Sequence, residues 1–254
     1  MEKKKIIFLF PGKEFKTEFV NSLIRMLHLP PPEGLRACGV TFAYNIEYSS
    51  DIYACRNNLV RTHPHTLNQS RKKVLDGYEY DYMVWIDSDQ EWTGQDVLSL
   101  IEHDVDVVTG VIPIAGNQRT CIGKYRVEDG KPQISYYKFR SLLEEERNEK
   151  GLVPIDFCGF GFIAMKRGVM ERIGYPWFQT VIHDWDDYEF FLDGVMQEKR
   201  ASIKIATSED IGWCSRAKKL GIQIYADPEV RIGHRKEVLL RAKNYEYEVK
   251  HKAV

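Results

Sequence analysis

The sequence predicts an α/β protein with a mixed, mainly parallel central sheet that is flanked by helices. Three observations support this prediction: strand-like and helix-like segments alternate through the first half, the strand-like segments are short apolar runs, and a hairpin pattern follows them. Such alternation is typical of βαβ units, in which helices join parallel strands. The 254 residues suit one large α/β domain, so we expect a single domain over residues 1–254.

The first half of the chain contains four strand-like segments. Continuous apolar runs predict strands at 6–10, 38–43, 82–86 and 105–112. The segments between and after them are predicted to be helices, at 17–28, 52–63, 67–75 and 95–101. Ligands on such sheets bind at the carboxyl ends of the strands, so residues that follow a strand are the first candidates for a site.

The second half has a different pattern. Two strand-like runs around Asp129-Gly130 predict a small antiparallel hairpin, and a glycine-containing turn leads into a further strand. The segment 183–191 is acidic and aromatic without a clear period, and the tail from Arg235 is charged. The remaining predictions are the hairpin strands 122–127 and 133–137, helices at 168–173 and 208–220, and short strands at 223–226 and 229–232.

Composition excludes several classes of protein. The formal net charge of −1 provides no overall field that would attract nucleic acid or anionic lipid. No apolar stretch approaches the roughly 20 residues that span a bilayer, and the first apolar run is too short for a signal peptide. The five cysteines are scattered without a C-x-x-C pair, which indicates reduced thiols, a cytoplasmic location and no zinc site.

The triplet Asp87-Ser88-Asp89 is the most informative feature of the chain. It follows the predicted buried strand 82–86, and side chains two residues apart in an extended chain share a side. Two carboxylates on one side suit a hard divalent cation that holds a phosphate-bearing substrate. Acidic residues after a strand also commonly begin a turn, so the triplet alone does not establish a metal site.

Three further sites have both a structural and a functional explanation. Glu209 and Asp210 begin a predicted helix, where the helix dipole favours negative charge and where a carboxylate is also ready to act as a general base. His234 follows a predicted strand and is either structural or a neutral nitrogen ligand for a cation. Arg56 lies in a predicted helix, where it is either on a solvated face or a contact to phosphate or a base edge.

Taken in order, these segments resemble the GT-A glycosyltransferases, especially the inverting family-2-like enzymes and their viral or phage relatives. The resemblance covers about residues 5–235, and the order of the motifs is more specific than any one of them. The matching segments are Asp87-Ser88-Asp89, residues 159–167 leading to Ile173-Gly174, residues 209–221, and residues 225–234.

The resemblance implies a Rossmann-like GT-A fold and a metal-dependent transfer of sugar from a UDP- or GDP-linked donor to a hydroxyl of a glycan or other acceptor, with inversion. Mn²⁺ or Mg²⁺ would bind Asp89, Asp87 and His234. Of the pair Glu209 and Asp210, Asp210 would be the base. The implied nucleotide-sugar contacts are Pro11, Gly12, Arg56, Asp87 and Ser88.

The same resemblance divides the chain into a nucleotide-sugar-binding half at about 1–115, an acceptor-binding half at about 116–235 and a charged tail at 236–254. Residues 44–51 match the family's base-binding turn only loosely, so the residue that reads the base stays open. The insertion 183–199 has no evident counterpart. Two other functions remain: a nucleotidyltransferase that makes a nucleotide-sugar, and a non-catalytic carbohydrate-binding module of the same fold.

Overall fold

A computed structural model describes residues 4–36, 38–65, 73–114, 119–128, 131–180, 182–185, 188–192, 195–199 and 203–236. The helices are α1 (Thr17–His28), α2 (Ile52–Arg61), α3 (Gly94–Glu102), α4 (Phe139–Leu143), α5 (Val169–Ile173) and α6 (Glu209–Lys219). The strands are β1 (Lys4–Pro11), β2 (Val40–Glu47), β3 (Tyr82–Ile86), β4 (Gln90–Glu91), β5 (Val107–Val111), β6 (Pro113–Ile114), β7 (Arg119–Glu128), β8 (Lys131–Lys138), β9 (Val153–Ile155), β10 (Phe157–Cys158), β11 (Phe162–Lys166), β12 (Ile182–Trp185), β13 (Tyr188–Leu192), β14 (Val195–Lys199), β15 (Ile203–Ala206), β16 (Ile224–Arg231) and β17 (Gly233–His234).

A seven-stranded mixed sheet forms the centre, in the order β2-β1-β3-β11-β5-β16-β9. Strands β1, β2, β3, β5 and β16 run in one direction, while β11 and β9 are antiparallel to their neighbours. A smaller antiparallel sheet contains the β7–β8 hairpin together with β6 and β10. The predicted fold class, a mainly parallel sheet flanked by helices with a small antiparallel hairpin, is confirmed.

Helices cover both faces of the central sheet because its strands are apolar on both sides. In β1, Ile6, Phe8 and Phe10 pack with α1 and α3 on one face, while Ile7 and Leu9 pack with α2, α5 and α6 on the other. All five of these side chains are essentially inaccessible to solvent. In the described part of the chain, no helix is both long enough and apolar enough to cross a membrane.

Several predicted elements differ from the structure. The helix predicted at 67–75 lies mostly outside the described residues, and its end is wrong because Leu75 has φ 49° in a short 3₁₀ turn. The two strands predicted at 223–226 and 229–232 are one strand, β16, whose pairing with β5 shifts register between Ala226 and Arg231. Pro228 lies in that interval and has no N–H for the ladder, which explains the apparent break.

The segment 183–191, which shows no clear period, lies largely in strands β12 and β13, which pair with β15 and β14. The predicted turn at 129–130 and the tail from 237 lie outside the described residues. The parallel strands β1, β3, β5 and β16 end together at one edge of the sheet, which we call the carboxyl edge; its strand ends are Pro11, Ile86, Val111 and Arg231.

The close packing of Gly94 against Gly34 can be tested by substitution. A Cβ atom at Gly94 would lie 2.3 Å from the carbonyl oxygen of Gly34, a backbone atom that has little freedom to move. We expect Gly94→Ala to lower the free energy of unfolding by roughly 1–3 kcal/mol, measured by urea denaturation. Gln95→Ala, at an exposed position on the same helix, is the control and should change stability by less than about 0.5 kcal/mol. Equal stability of the two variants would contradict this prediction.

Candidate active site

The acidic triplet lies in a turn at the carboxyl edge. Asp87 directly follows β3, its N–H donates to the carbonyl of Gly161 at 3.0 Å, and its own carbonyl accepts from the N–H of Gln90 at 3.2 Å. The side chain of Gln90 donates to Asp89 Oδ1 at 2.8 Å. The turn therefore holds Asp87 and Asp89 at the end of a buried strand, as the sequence predicts.

The loop after β1 packs against this turn. Gly12 N–H donates to Glu47 O at 3.0 Å, and a Cβ atom at Gly12 would lie 2.6 Å from Ser88 Cβ. Lys16 N–H donates to Ser88 O at 3.0 Å. Because only a glycine allows this close approach, the loop after β1 packs directly against Ser88, beside the two aspartates, while Pro11 itself is buried.

His234 reaches the triplet through a short antiparallel ladder. Strand β17 pairs with β4, which places His234 opposite Gln90, and Arg235 N–H donates to Asp89 O at 2.9 Å. His234 Nε2 lies 3.1 Å from Asp89 Oδ2, although the two residues are 145 positions apart in the chain. The structure thus brings the predicted histidine and the second aspartate together.

A backbone carbonyl sets the tautomer of His234. Its Nδ1 donates to Pro113 O at 2.7 Å, and a carbonyl can only accept, so Nδ1 carries a hydrogen and Nε2 faces Asp89. The hydrogen bond to Asp89 raises the pKa of His234, while its partial burial opposes the rise. When protonated, His234 forms an ion pair with Asp89; when neutral, it presents a lone pair at the same place.

Asp89 has a second cationic partner, Lys236, whose Nζ lies 3.1 Å from the same Oδ2 atom. Burial alone would raise the pKa of Asp89, but the hydrogen bonds from His234 and Lys236 outweigh it and lower the pKa to about 2. Asp89 is therefore ionised at any physiological pH and places a negative charge at the carboxyl edge.

The second acidic pair begins helix α6. Asp210 Oδ1 accepts the N–H of Ile211 at 2.7 Å and the hydroxyl of Ser208, while a Cβ atom at Gly159 would lie 3.6 Å from Asp210 Oδ2. Burial raises the pKa of Glu209; Arg56 opposes the rise, and Asp210 adds to it. Both residues lie in the first turn of the helix, where the helix dipole is positive.

Arg56 lies between the two acidic pairs. Its side chain is only 4% exposed, and its guanidinium donates from Nη2 to Asp87 Oδ1 at 3.3 Å and from Nε to Glu209 Oε1 at 3.2 Å. Burial raises the pKa of Asp87; Arg56 opposes the rise, and Asp89 and Asp210 add to it. The nucleotide contact expected of Arg56 stays a prediction, because the observed contacts are to the two carboxylates.

A glycine turn connects the two acidic pairs. Gly161 lies beside Asp87, where an added Cβ atom would be 3.4 Å from Asp87 Oδ2 and 2.7 Å from a methyl of Ile112. Gly159 lies in the same way beside Asp210. The turn forms the floor of the site, and larger residues there would fill the space between the carboxylates.

The spacing of Asp89 and His234 fits two ligands of one divalent cation. Two ligand atoms bound at right angles to an ion at about 2.1 Å lie about 3.0 Å apart, which matches the 3.1 Å between Asp89 Oδ2 and His234 Nε2. Over the described ranges, no three His, Cys, Asp or Glu side chains are placed to hold an ion together. Asp89 and His234 could supply two ligands to such an ion.

Sequence reasoning missed three contributors. The Pro113 carbonyl accepts a hydrogen bond from His234, and the buried side-chain amide of Gln90 donates one to Asp89. Lys236 forms an ion pair with Asp89. Only Lys236 had a sequence signal, since it lies two residues after the predicted histidine. The contacts of Pro113 and Gln90 depend on strand pairing, which no local pattern shows.

Comparison with known proteins gives matches at low sequence identity, and the three solved structures described below have TM-scores under 0.5. No protein-family model matches the chain, and no curated protein sequence matches it. Among solved structures, A197 from STIV is 14% identical, with 93% of this chain and 97% of that chain covered and a TM-score of 0.47. The catalytic domain of Drosophila β1,4-galactosyltransferase 7 in complex with xylobiose is 13% identical, with 97% and 79% covered and a TM-score of 0.44. The mannosyltransferase PcManGT from Pyrobaculum calidifontis, in complex with GDP-Man and Mn²⁺, is 13% identical, with 98% and 61% covered and a TM-score of 0.40.

The raised pKa of His234 predicts a pH-dependent contribution to stability. A raised pKa means that the folded state holds the proton more tightly, so the contribution is complete below pH about 6.5 and is lost as pH rises through the raised value. We expect the stability difference between the wild type and His234→Gln to be larger at pH 5.5 than at pH 9, measured by urea denaturation. In an Asp89→Asn background this pH dependence should largely disappear. A difference that is equal at the two pH values would contradict the ion pair.

Proposed function

We propose that this protein is a metal-dependent glycosyltransferase that moves a sugar from a UDP- or GDP-linked donor to an acceptor hydroxyl with inversion. The observation that carries the proposal is the 3.1 Å contact between Asp89 and His234, two potential cation ligands from distant parts of the chain. It lies at the carboxyl edge of a mainly parallel sheet, where ligands bind. The GT-A-like order of the sequence motifs supports the same function.

Asp89 and His234 would hold the cation, Mn²⁺ or Mg²⁺, with Asp87 close behind them. When bound, this cation offsets the negative charge on the leaving nucleoside diphosphate. Asp89 is suited to this task because its pKa of about 2 keeps it ionised. The carbonyl of Pro113 supports His234 by directing its Nε2 atom toward the site.

Asp210 is the proposed general base. It lies at the start of α6, across the Gly159 turn from Cys121, and its Oδ1 atom is held by the Ile211 N–H. That hydrogen bond fixes the carboxylate, so that the other oxygen can accept the proton of an acceptor hydroxyl. A single displacement with the base opposite the leaving group inverts the anomeric configuration.

Pro11, Gly12 and Ser88 are the proposed contacts to the nucleotide. They lie beside the cation ligands at the end of β1, on the same edge of the sheet. Residues 1–115 would then bind the donor and residues 116–235 the acceptor. The order of binding groups along the edge would be nucleotide, diphosphate with its cation, and acceptor.

A screen of nucleotide-sugars with Mn²⁺ tests this function against its two alternatives. Release of nucleoside diphosphate, with or without an acceptor, supports the glycosyltransferase. Release of pyrophosphate from a nucleoside triphosphate and a sugar phosphate supports a nucleotidyltransferase. Carbohydrate binding without turnover of any donor supports a binding module.

The role of Asp210 gives a sharp kinetic prediction. Asp210→Asn removes the proton acceptor and keeps its shape, so transfer should fall by roughly 100- to 10,000-fold. Donor binding, measured by calorimetry with UDP or GDP and Mn²⁺, should stay within about threefold because the base touches the acceptor. Transfer near the wild-type rate would show that another group is the base.

The cation ligands give a prediction about binding. Asp89→Asn should weaken Mn²⁺-dependent binding of the nucleoside diphosphate by at least roughly tenfold, because a neutral amide is a poorer ligand than a carboxylate. Glu91→Gln removes an exposed charge two residues away and is the matched control, which should bind normally. Calorimetry with and without Mn²⁺ measures both. An Asp89 variant with full metal-dependent affinity would refute the assigned ligand.

A further inference from the structure

The two acidic pairs of the site share one arrangement. In each pair the first residue, Asp87 or Glu209, contacts Arg56, at 3.3 and 3.2 Å. The second residue of each pair contacts other groups: Asp89 contacts His234 and Lys236, and Asp210 contacts the start of its own helix. One guanidinium therefore binds the first member of both pairs.

The surroundings of Arg56 fix its guanidinium in place. The guanidinium carbon lies 5.4 Å from the ring centroids of Trp85 and Phe160 and 6.0 Å from that of Phe178. The residue is buried, and aromatic faces attract a cation most strongly where water is excluded. Arg56 is thus held from several sides and is poorly placed to swing toward a ligand in solvent.

The same face of α2 makes two further contacts to the segments around the site. Tyr53 Oη donates to Thr207 O at 2.7 Å, just before α6. Asn57 Nδ2 donates to Phe178 O at 2.7 Å, and its Oδ1 accepts the Phe178 N–H at 3.1 Å. Tyr53, Arg56 and Asn57 are three and four residues apart, so they lie on one side of the helix. Through them, α2 is bonded both to the residue before α6 and to Phe178, one of the three aromatic residues around Arg56.

We propose that Arg56 is a positioning residue, which ties down Asp87 and Glu209 and so leaves Asp89 for the cation and Asp210 for the acceptor. This inference rests on the proposed function, and it replaces the nucleotide contact that the sequence suggested for Arg56. The planar fork of arginine suits the role because it reaches two carboxylates on different elements at once. Arg56 acts by holding Asp87 and Glu209, and in this proposal neither of them is the cation ligand or the base.

The first test measures the network without any substrate. Arg56→Met leaves two partly buried carboxylates unpaired, so its melting temperature should fall by roughly 10 °C. The triple variant Arg56→Met/Asp87→Asn/Glu209→Gln removes all three charges and should recover at least half of that loss. Arg61→Met, on the same helix, where the arginine bonds the Asn58 side chain, is the matched control and should lose much less. A triple variant that is no more stable than Arg56→Met would overturn the proposed network.

The second test separates positioning from nucleotide binding. Arg56→Lys keeps the charge but contacts only one carboxylate, so kcat should fall by roughly 100-fold. KM for the donor and the calorimetric affinity for UDP or GDP with Mn²⁺ should both stay within about threefold. Binding that weakens tenfold or more, at an unchanged melting temperature and kcat, would show instead that Arg56 contacts the nucleotide. If the wild type transfers no sugar, the proposed function fails, and the melting temperatures still decide whether Arg56 holds the two carboxylates.

Discussion

Carboxylates repel one another, and this protein gathers four of them, Asp87, Asp89, Glu209 and Asp210, at one edge of its sheet. Their convergence is possible because cations are interleaved with them: Arg56 between the two pairs, and Lys236 with His234 against the second aspartate. Four carboxylates against two permanent cations still leave two negative charges when His234 is neutral. Burial raises the pKa values of Asp87 and Glu209; Arg56 opposes the rise, and acidic neighbours add to it.

A divalent cation would neutralise this excess of two negative charges. The 3.1 Å separation of Asp89 Oδ2 and His234 Nε2 suits two adjacent ligands of such an ion, and a substrate diphosphate would supply the others. With two protein ligands, the proposed cation would bind weakly until the phosphates of the proposed donor arrive. In the proposed function, donor and cation would therefore bind together.

Helix α2 links this chemistry to the rest of the fold. Its contacts with Asp87, Thr207, Glu209 and Phe178 connect the end of β3 to the start of α6, and so the proposed cation site to the proposed base. Asn57 is a poor helix former, and its two hydrogen bonds to Phe178 explain why it is placed in this helix.

Much of the fold was predictable from local pattern. The strand Tyr82–Ile86 and the helix Thr17–His28 match their predicted limits, because an apolar run and a helical period are properties of a few neighbouring residues. The same holds for the position of Asp87 and Asp89 after a strand. The end of the helix predicted at 67–75 was wrong, because Leu75 adopts a positive φ, and a leucine in the sequence does not indicate that conformation.

By itself, the sequence determined the alternation of strands and helices in the first half, the acidic residues at the end of β3 and the start of α6, and the candidate histidine. Only the tertiary structure decided which of these groups meet. The pairing of β17 with β4 brings His234 to Asp89, and burial of α2 turns Arg56 toward two carboxylates 31 and 153 residues away. The physical reason is that hydrophobic period records which side of an element is buried, whereas a contact between charged side chains depends on how the elements pack against one another.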